Sequence, residues 1–391
     1  MAVTVEPVQG RADLNAFIKL PFRLYAGEEY WVPPIIADRK RFLDRAKNPF
    51  FEHGEAEYFL ALRDGQVVGR ITAQVDRNLH EFQSNRWGQF GFFEAIDDQE
   101  VATALVDTAE AWVRERGCDR LVGPFDFTTN DECGVLVEGF ERLPVVLMNW
   151  THRYYPALLE GAGLVKAMDT LMWTLNVADR EQVHPAIWEM AAKVESEHGI
   201  VCRPMRKRDL EAEVGRFLEV YNEAWQRNWG FVPLTEAEVR HYAKQLRPLL
   251  DEHWAMIAET PDGRVAGAAL SLPDYNQVFR HMNGRLLPIG WLKFLLGKRK
   301  IDRVRVFALG VKREFQHTGI AAKFYEMHYA SAEATPQSVG ETGWILETNT
   351  PMNRAMEGMG GEVVCRYRIF ERVFAQPPAS TAVAASEPAA S

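Results

Sequence analysis

The sequence predicts a mixed α/β fold that occurs twice along the chain, as two tandem domains of one architecture. Three motifs return in the same order about 200 residues later: DGQVVG as DGRVAG (262 − 64 = 198), WVP as FVP (231 − 31 = 200) and GAG as GMG (358 − 161 = 197). Strand-like apolar runs and helical patterns alternate around these motifs in both halves. A common order at a common spacing is typical of two copies of one structural unit.

Each copy is predicted to begin with two helices and a β-hairpin. In the second copy the helical patterns fall at residues 216–228 and 234–251. An Asp-Gly pair lies between two apolar runs at position 64, and another lies between two apolar runs at position 262. Asp-Gly in this setting predicts a hairpin, because both residues accept the positive φ angles of a tight turn.

The later elements follow from the pattern of the second copy. The apolar run 304–311 predicts a strand, and the periodic segment that begins at Gly319 predicts a helix. Residues 343–346 predict another strand, and a further helix is expected from Pro351. The last strands are expected within residues 362–373.

These patterns predict the domain boundaries. The first copy is expected at residues 1–176 and the second at 177–374, with the boundary near residues 176–182. Residues 375–391 are mostly Ala, Pro and Ser, and such a composition buries too little apolar surface to fold. The sequence therefore predicts a disordered tail there.

The composition and the net charge argue against several kinds of function and binding site. The chain has 391 residues and a formal net charge of −9, which argues against a nucleic-acid partner because such binding needs a basic face. The four cysteines show no C-x-x-C spacing, so neither a structural metal site nor a disulfide framework is expected. No segment has the run of about 20 apolar residues that spans a bilayer. A cytoplasmic protein is therefore predicted.

An anion-binding loop is predicted between the strand at 304–311 and the helix that follows. The loop consists of Gln316, His317, Thr318, Gly319, Ile320 and Ala321. A strand that enters a helix through such a loop presents several backbone N–H groups, together with the positive end of the helix dipole. Glycine at the fourth position lets the backbone approach a ligand closely. This chemistry suits a pyrophosphate.

The pattern Q-x-x-G-x-A after an apolar strand resembles motif A of the GNAT acyltransferases, which bind the pyrophosphate of coenzyme A there. The resemblance implies two tandem GNAT-like domains, with acyl-CoA as co-substrate and an amine as acceptor, and with no metal. The motifs that match the family lie within residues 177–374. The resemblance extends to the first copy only because that copy repeats the order of motifs of the second. It also implies that the backbone of Leu309, Gly310 and Val311 binds the pantetheine arm. Asn349 fits either a place beside that arm or a role at the start of the next helix.

The first copy is predicted to have lost coenzyme binding. The corresponding segment, residues 92–100, contains no glycine, and acidic residues crowd the start of the next helix. They suit the helix dipole but would repel a pyrophosphate. This copy is expected to be structural and to supply one wall of an acceptor pocket.

The candidate catalytic groups depart from the family pattern. Many members carry a tyrosine where this chain has Met356, and a methionine cannot protonate the departing thiolate. Glu347, at the end of a predicted strand, is the first candidate to deprotonate the amine, although a solvated carboxylate explains it as well. His281 and His317 are further candidates. Direct attack of the amine on the thioester needs no covalent intermediate.

An apolar insertion in the second copy runs from Arg285 to Lys300 and ends in three basic residues. It predicts either peripheral contact with the inner membrane face, with Trp291 and Phe294 in the acyl boundary, or an amphipathic helix packed on the sheet. Long two-copy chains with such an insertion resemble the group that contains the bacterial ceramide synthases. A lipid amine is therefore one predicted acceptor. The alternatives are acetylation of a small polar amine and a non-catalytic acyl-CoA sensor.

A polar loop in the first copy, residues 123–134, lies between apolar runs. The sequence predicts either a binding loop or a well-capped turn there.

Overall fold

The computed structural model describes residues 2–374, without the side chains of residues 245 and 246. The described chain forms one mixed sheet of 13 strands with helices packed on both faces, which confirms the predicted fold class. The tail predicted at residues 375–391 lies outside the described residues.

The first copy supplies seven strands and five helices. The strands are β1 (Thr4–Pro7), β2 (Gly54–Arg63), β3 (Gln66–Asp76), β4 (Trp87–Ala95), β5 (Arg120–Gly123), β6 (Val135–Glu138) and β7 (Val165–Asn176). The helices are α1 (Gly10–Leu24), α2 (Ile36–Phe42), α3 (Arg77–Gln83), α4 (Gln99–Glu115) and α5 (Tyr155–Gly161).

The second copy supplies six strands and seven helices. The strands are β8 (Val201–Pro204), β9 (Ala255–Glu259), β10 (Val265–Pro273), β11 (Arg303–Val311), β12 (Val339–Leu346) and β13 (Glu362–Val373). The helices are α6 (Pro185–His198), α7 (Leu210–Ala224), α8 (Glu236–Leu246), α9 (Asn276–Phe279), α10 (Gly290–Gly297), α11 (Ile320–Ala334) and α12 (Thr350–Gly358).

The strand order is the same when read from either edge of the sheet. Twelve of the 13 strands run in the order β1-β2-β3-β4-β5-β13-β7-β12-β11-β10-β9-β8, so each half has five strands of one copy followed by the last long strand of the other copy. β6 lies off this order and pairs with β13. β13 pairs antiparallel with β5, and β7 pairs antiparallel with β12. The two copies have therefore exchanged their final strands, and β7 and β13 pair with each other at the centre.

The alternation of side chains along the strands builds a separate core on each face. In the first half, Ile71 and Phe90 pack under α4, whereas Tyr58 and Leu60 pack under α1. In the second half, α11 covers β9 and β10 on one face with Phe324, and α7 covers them on the other with Val220. Both faces of the sheet are covered, which explains why several strands are apolar throughout.

Three expectations from the sequence need correction. In each copy a strand, β1 or β8, comes before the two predicted helices, and in the second copy α6, which was not predicted, comes before β8. The predicted last strands are one long strand, β13. The two helices expected at 216–228 and 234–251 are α7 and α8, which begin and end elsewhere. Thr235 fixes the start of α8 through a capping box with Glu238.

No helix within the described residues combines the length and the apolar run that crossing a bilayer requires.

Candidate active site

A fork opens between β11 and β12. The two strands run parallel and pair from Arg303 with Val339 to Val306 with Thr342. Beyond these pairs β11 continues along β10 and β12 continues along β7, so the strands separate. β11 bulges at Phe307, which is passed over in the pairing with β10. Leu309, Gly310 and Val311 pair only with β10, so their other edge faces the fork.

The predicted anion loop lies at the open end of this fork. Residues 313–318 form a 3-10 turn, Gly319 takes a φ of +84°, and α11 begins at Ile320. The Thr318 hydroxyl donates a hydrogen bond to Phe315 O at 2.6 Å, while Gln316 and His317 are exposed. Ile320 is buried in the core and Ala321 packs at its edge. A Cβ at Gly319 would lie 2.8 Å from Met190 O, so both the φ angle and the close packing require glycine.

The start of α11 carries neither a side-chain cap nor an acidic residue in its first turn. Its dipole is therefore not neutralised locally, and the loop can attract an anion. The corresponding start of α4 differs, because Asp98 accepts a hydrogen bond from Val101 N at 3.2 Å. Arg63 pairs with Asp98 at 2.7 Å and with Glu100 at 2.8 Å, which completes a neutralised cluster.

The fork of the first copy is filled by its own chain. β4 and β5 pair in parallel only from Trp87 to Gln89. Just beyond, Phe125 N donates to Phe90 O at 2.7 Å, and Gln74 Nε2 donates to Phe125 O at 2.8 Å. A Cβ at Gly91 would lie only 1.7 Å from Phe125 O. No space remains there for a substrate arm.

A small apolar cavity of about 30 Å³ lies at the root of the β11–β12 fork. Side chains of β7, β11, β12, α11 and α12 line it, among them Met352, Met356 and Met359. Met356, where a proton donor was sought, is 1% exposed and belongs to this apolar core. Methionines are flexible enough to let such a lining widen.

The polar residues predicted near the fork have definite partners. The Glu347 carboxylate accepts a hydrogen bond from Asp169 N at 3.1 Å and pairs with Lys166 at 2.8 Å. Asn349 is the N-cap of α12 and accepts a hydrogen bond from Met352 N at 3.3 Å. His281 is exposed, in the segment before α10. Within residues 2–374, no group of three or more His, Cys, Asp and Glu side chains is arranged to hold a metal ion.

The first copy covers the α7 face of the second half through a long connection. Residues 124–154 join β5 to α5, whereas residues 347–349 make the same connection between β12 and α12. Val146 N donates to Asp274 Oδ1 at 2.9 Å, and Asn276 Nδ2 donates to Pro144 O at 2.9 Å. Arg142 pairs with Glu341 at 2.9 Å. The sequence reasoning missed these contacts, although the unequal length of the two connections was a visible signal.

The polar loop 123–134 belongs to the same interface. Tyr221 donates to Asn130 Oδ1 at 2.6 Å, and Tyr242 donates to Asp131 Oδ1 at 2.9 Å. Burial raises the pKa of Asp131 to about 8, against the lowering effect of the Tyr242 and Thr128 hydrogen bonds. The loop thus links the first copy to α7 and α8 of the second.

The insertion is an exposed apolar surface. Seven of the fourteen exposed large apolar side chains among the described residues lie in it: Leu286, Leu287, Ile289, Trp291, Leu292, Leu295 and Leu296. Phe294, expected in a lipid boundary, instead packs inward against Tyr275 and Phe279. This inward ring anchors α10 while its other apolar side chains point outward.

Comparison with known proteins finds a matching family model and two similar bacterial proteins. A model of the acetyltransferase (GNAT) family matches residues 24–130, which lie in the first copy. Bacterial ceramide synthase of Caulobacter vibrioides is 37% identical over 379 residues, which cover 95% of this chain and 97% of that protein. Protein YghO of Escherichia coli is 36% identical over 367 residues, with 92% and 93% covered.

Among solved structures, a tandem GNAT protein from the clavulanic acid biosynthesis pathway superposes with a TM-score of 0.53 at 12% identity, covering 95% of this chain and 98% of that one. The family model does not cover the loop 316–321. The prediction of anion binding by this loop therefore depends on the geometry of the loop and of the open fork.

Proposed function

The chain belongs to the GNAT acyltransferase family, and from this membership we propose that it transfers an acyl group from coenzyme A directly to an amine. One comparison within the described chain supports this placement of the reaction: of the two forks only β11–β12 is open, and of the two helices that follow the forks, α4 and α11, only α11 starts without a side-chain cap. The pyrophosphate would bind residues 316–321, and the pantetheine arm would lie along Leu309, Gly310 and Val311. The thioester would then lie near the root of the fork.

The proposed reaction is a direct displacement. The amine nitrogen attacks the thioester carbonyl carbon, a C–N bond forms, and the C–S bond breaks as coenzyme A leaves as its thiolate. Glu347 is the proposed acceptor of the proton that the amine loses. Its carboxylate is 29% exposed, and because it lies five residues beyond the last β11–β12 pair it would take the proton through water. The thiolate takes a proton from water, since Met356 has none to give.

We propose a long-chain lipid amine as the acceptor. The exposed apolar side chains of α10 and of the segment before it form a continuous surface next to Lys298, Arg299 and Lys300. Apolar side chains bordered by cations match an anionic membrane surface, because the side chains enter the acyl boundary while the cations meet the headgroups. Leu287, which is 75% exposed, has no other cover within the described chain. The ceramide synthase relative supports this substrate class.

Comparison of two acyl donors tests the proposal. Purified protein would be supplied with palmitoyl-CoA or acetyl-CoA, and with a long-chain amine in vesicles or a small polar amine in solution. We expect transfer of the palmitoyl group to the vesicle amine, with release of one thiol per amide formed. Thiol release without amide would contradict amine acylation.

A second candidate, acetylation of a small amine, is favoured by the size of the cavity at the fork root. About 30 Å³ accommodates little more than a water molecule or a methyl group, so a long acyl chain requires the methionine lining to move. Faster turnover of acetyl-CoA than of palmitoyl-CoA would select this candidate. Tight binding of either thioester with no transfer to any amine would select an acyl-CoA sensor instead.

A further inference from the structure

Arg305 is a buried cation without an anionic partner. Its side chain lies on β11 at 1% exposure, and its two terminal nitrogens donate to Val146 O at 2.7 Å and to Gly343 O at 3.2 Å. Its Nε has no hydrogen-bond partner among residues 2–374. Among the described residues no carboxylate lies within 4 Å of the guanidinium, whereas the neighbouring Arg303 pairs with both Asp274 and Glu341.

A second unpartnered donor lies beside this cation. Within the described part of the chain the buried Trp344 Nε1 has no hydrogen-bond partner, and the Trp344 ring centroid is 5.3 Å from Arg305 Cζ. Trp344 also packs against the clusters that contain Met168 and Met172. Buried polar atoms are rarely left unpaired in folded proteins, so two neighbouring unpaired N–H donors point to a missing acceptor.

These residues lie at the root of the open fork, on the α7 face. Arg305 faces Glu341 in the pairing one residue before the last pair, and Trp344 follows Thr342, where β12 leaves β11. Residues 142–146 of the first copy cover this face of the sheet. A group bound here would therefore lie next to the proposed position of the thioester.

We infer that Arg305 and Trp344 form a subsite for an anionic oxygen, and that the acceptor amine therefore carries a carboxylate or a phosphate. The two unpaired N–H donors, Arg305 Nε and Trp344 Nε1, match such an oxygen in polarity. That the anion belongs to the acceptor rests on the proposed acyl transfer, whereas anion binding itself does not.

The charge of the subsite supports the same ligand. Burial lowers the pKa of Arg305 to about 10, which still leaves the guanidinium charged at neutral pH. An unpaired buried charge is costly, and an anionic ligand would offset that cost. The same cation disfavours the ammonium form of an amine held beside it, so it would help to keep the nucleophile neutral.

The test measures anion binding in the absence of coenzyme. Full-length protein would be titrated by calorimetry with dodecanoate, dodecyl phosphate and the uncharged dodecan-1-ol at constant ionic strength. We expect at least one anion to bind more tightly than the alcohol. Arg305→Gln should weaken that anion about ten- to a hundredfold and leave the alcohol unchanged, the range expected for a charge-assisted hydrogen bond.

A second variant covers the case in which Arg305→Gln fails to fold. Trp344→Phe keeps the ring but removes its N–H donor, and it should weaken the anion several-fold. Trp112→Phe, at a half-buried tryptophan of α4 in the first half of the sheet, is the matched control and should leave the anion affinity unchanged. The tighter of the two anions then identifies the acceptor group as a carboxylate or a phosphate.

Equal binding of both anions and the alcohol by the wild-type protein would overturn the inference, as would unchanged anion affinity in folded Arg305→Gln or Trp344→Phe. Anion binding in a protein that acylates no amine would instead contradict the proposed function, while the subsite itself would stand.

Discussion

His317 is the residue at which the predicted anion loop can be altered without disturbing its packing. Its side chain is exposed, whereas any side chain at Gly319 would meet Met190 and require a strained φ. We predict that His317→Asp weakens coenzyme A binding by about tenfold or more, because a carboxylate would repel the pyrophosphate. His317→Asn is the uncharged control. Calorimetry at low and high salt should show a deficit that salt reduces.

Glu347 can be tested as a base by an isosteric change. If it deprotonates the amine, Glu347→Gln should lower kcat by roughly two to four powers of ten, because the amide cannot take the proton. The hydrogen bond from Asp169 N can persist to the amide oxygen, so the fold should be kept. Lys166→Gln is the control, because it removes the ion pair with Glu347 but leaves the Glu347 carboxylate in place. A rate within a few-fold of wild type for Glu347→Gln would leave the residue a purely structural role.

Reasoning from residues identified the loop and Glu347 as candidates but did not reach Arg305. The loop could be proposed from the sequence because its predicted anion chemistry depends on neighbours in sequence: a strand, a glycine and a helix start. The partners of Arg305 come from residues 146 and 343, far from it along the chain. A basic residue in a strand gives no sign in the sequence that it is buried and unpaired.

At the scale of elements, α10 offers the clearest test of the lipid substrate. Replacing Lys298, Arg299 and Lys300 together with glutamate should abolish co-sedimentation with anionic vesicles, because each cation near such a surface contributes about 1 kcal/mol. The exposure of all three residues means that the fold should not suffer. Activity on a long-chain amine in vesicles should fall, and activity on a soluble amine should persist.

A neutral-vesicle control separates charge from apolar contact. Phosphatidylcholine vesicles should bind both proteins weakly, whereas vesicles with phosphatidylserine should bind only the wild type. Wild-type protein that ignores anionic vesicles at low salt would remove the membrane role of α10.

The element boundaries show what local patterns could predict. The hairpins are found where Asp-Gly predicted them, and α10 begins at Gly290, just after Pro288, which interrupts a regular helix. The inward turn of Phe294 could not be predicted, because an apolar helix shows no difference between the side that packs and the side that is exposed.

For the whole molecule, the exchange of final strands makes each copy depend on the other. β7 lies between β13 and β12, and β13 lies between β5 and β7, so neither copy alone completes its half of the sheet. We predict that residues 1–176 and 177–374, expressed separately, are insoluble or unfolded. Expressed together they should purify as one complex with the secondary structure of the intact chain.

A soluble, monomeric fragment 1–176 would contradict this dependence, since β7 would then have paired with β5 of its own copy. The alternation of side chains in β7 and β13 is the same for either pairing, so no local pattern could have predicted the exchange.

A buried histidine joins the copies and predicts how stability depends on pH. His53 of the first copy contacts Asp76 at 2.8 Å and Glu238 of the second copy at 3.2 Å. Burial by itself lowers the pKa of His53, but the hydrogen bonds and charges of both carboxylates outweigh it and raise the pKa to about 9. The charged form is thus favoured by folding, so its contribution is complete below about pH 6.5 and is lost as the pH rises through 9.

We expect His53→Gln to lower the free energy of unfolding by more at pH 6 than at pH 10, as measured by urea titration. His253→Gln, at an exposed pair with Asp251, is the control and should show little change at either pH. An equal deficit for His53→Gln at both values would exclude the charged histidine as the link.

A single coenzyme site in the second copy is the central claim, and the stoichiometry of binding tests it most directly. Calorimetric titration of the intact chain with palmitoyl-CoA and with coenzyme A should give one molecule per chain. His317→Asp should weaken that site, whereas Asp98→Asn at the closed α4 start should leave the stoichiometry at one. Two molecules per chain, or one whose affinity responds to Asp98→Asn and not to His317→Asp, would place the coenzyme in the first copy and contradict the claim.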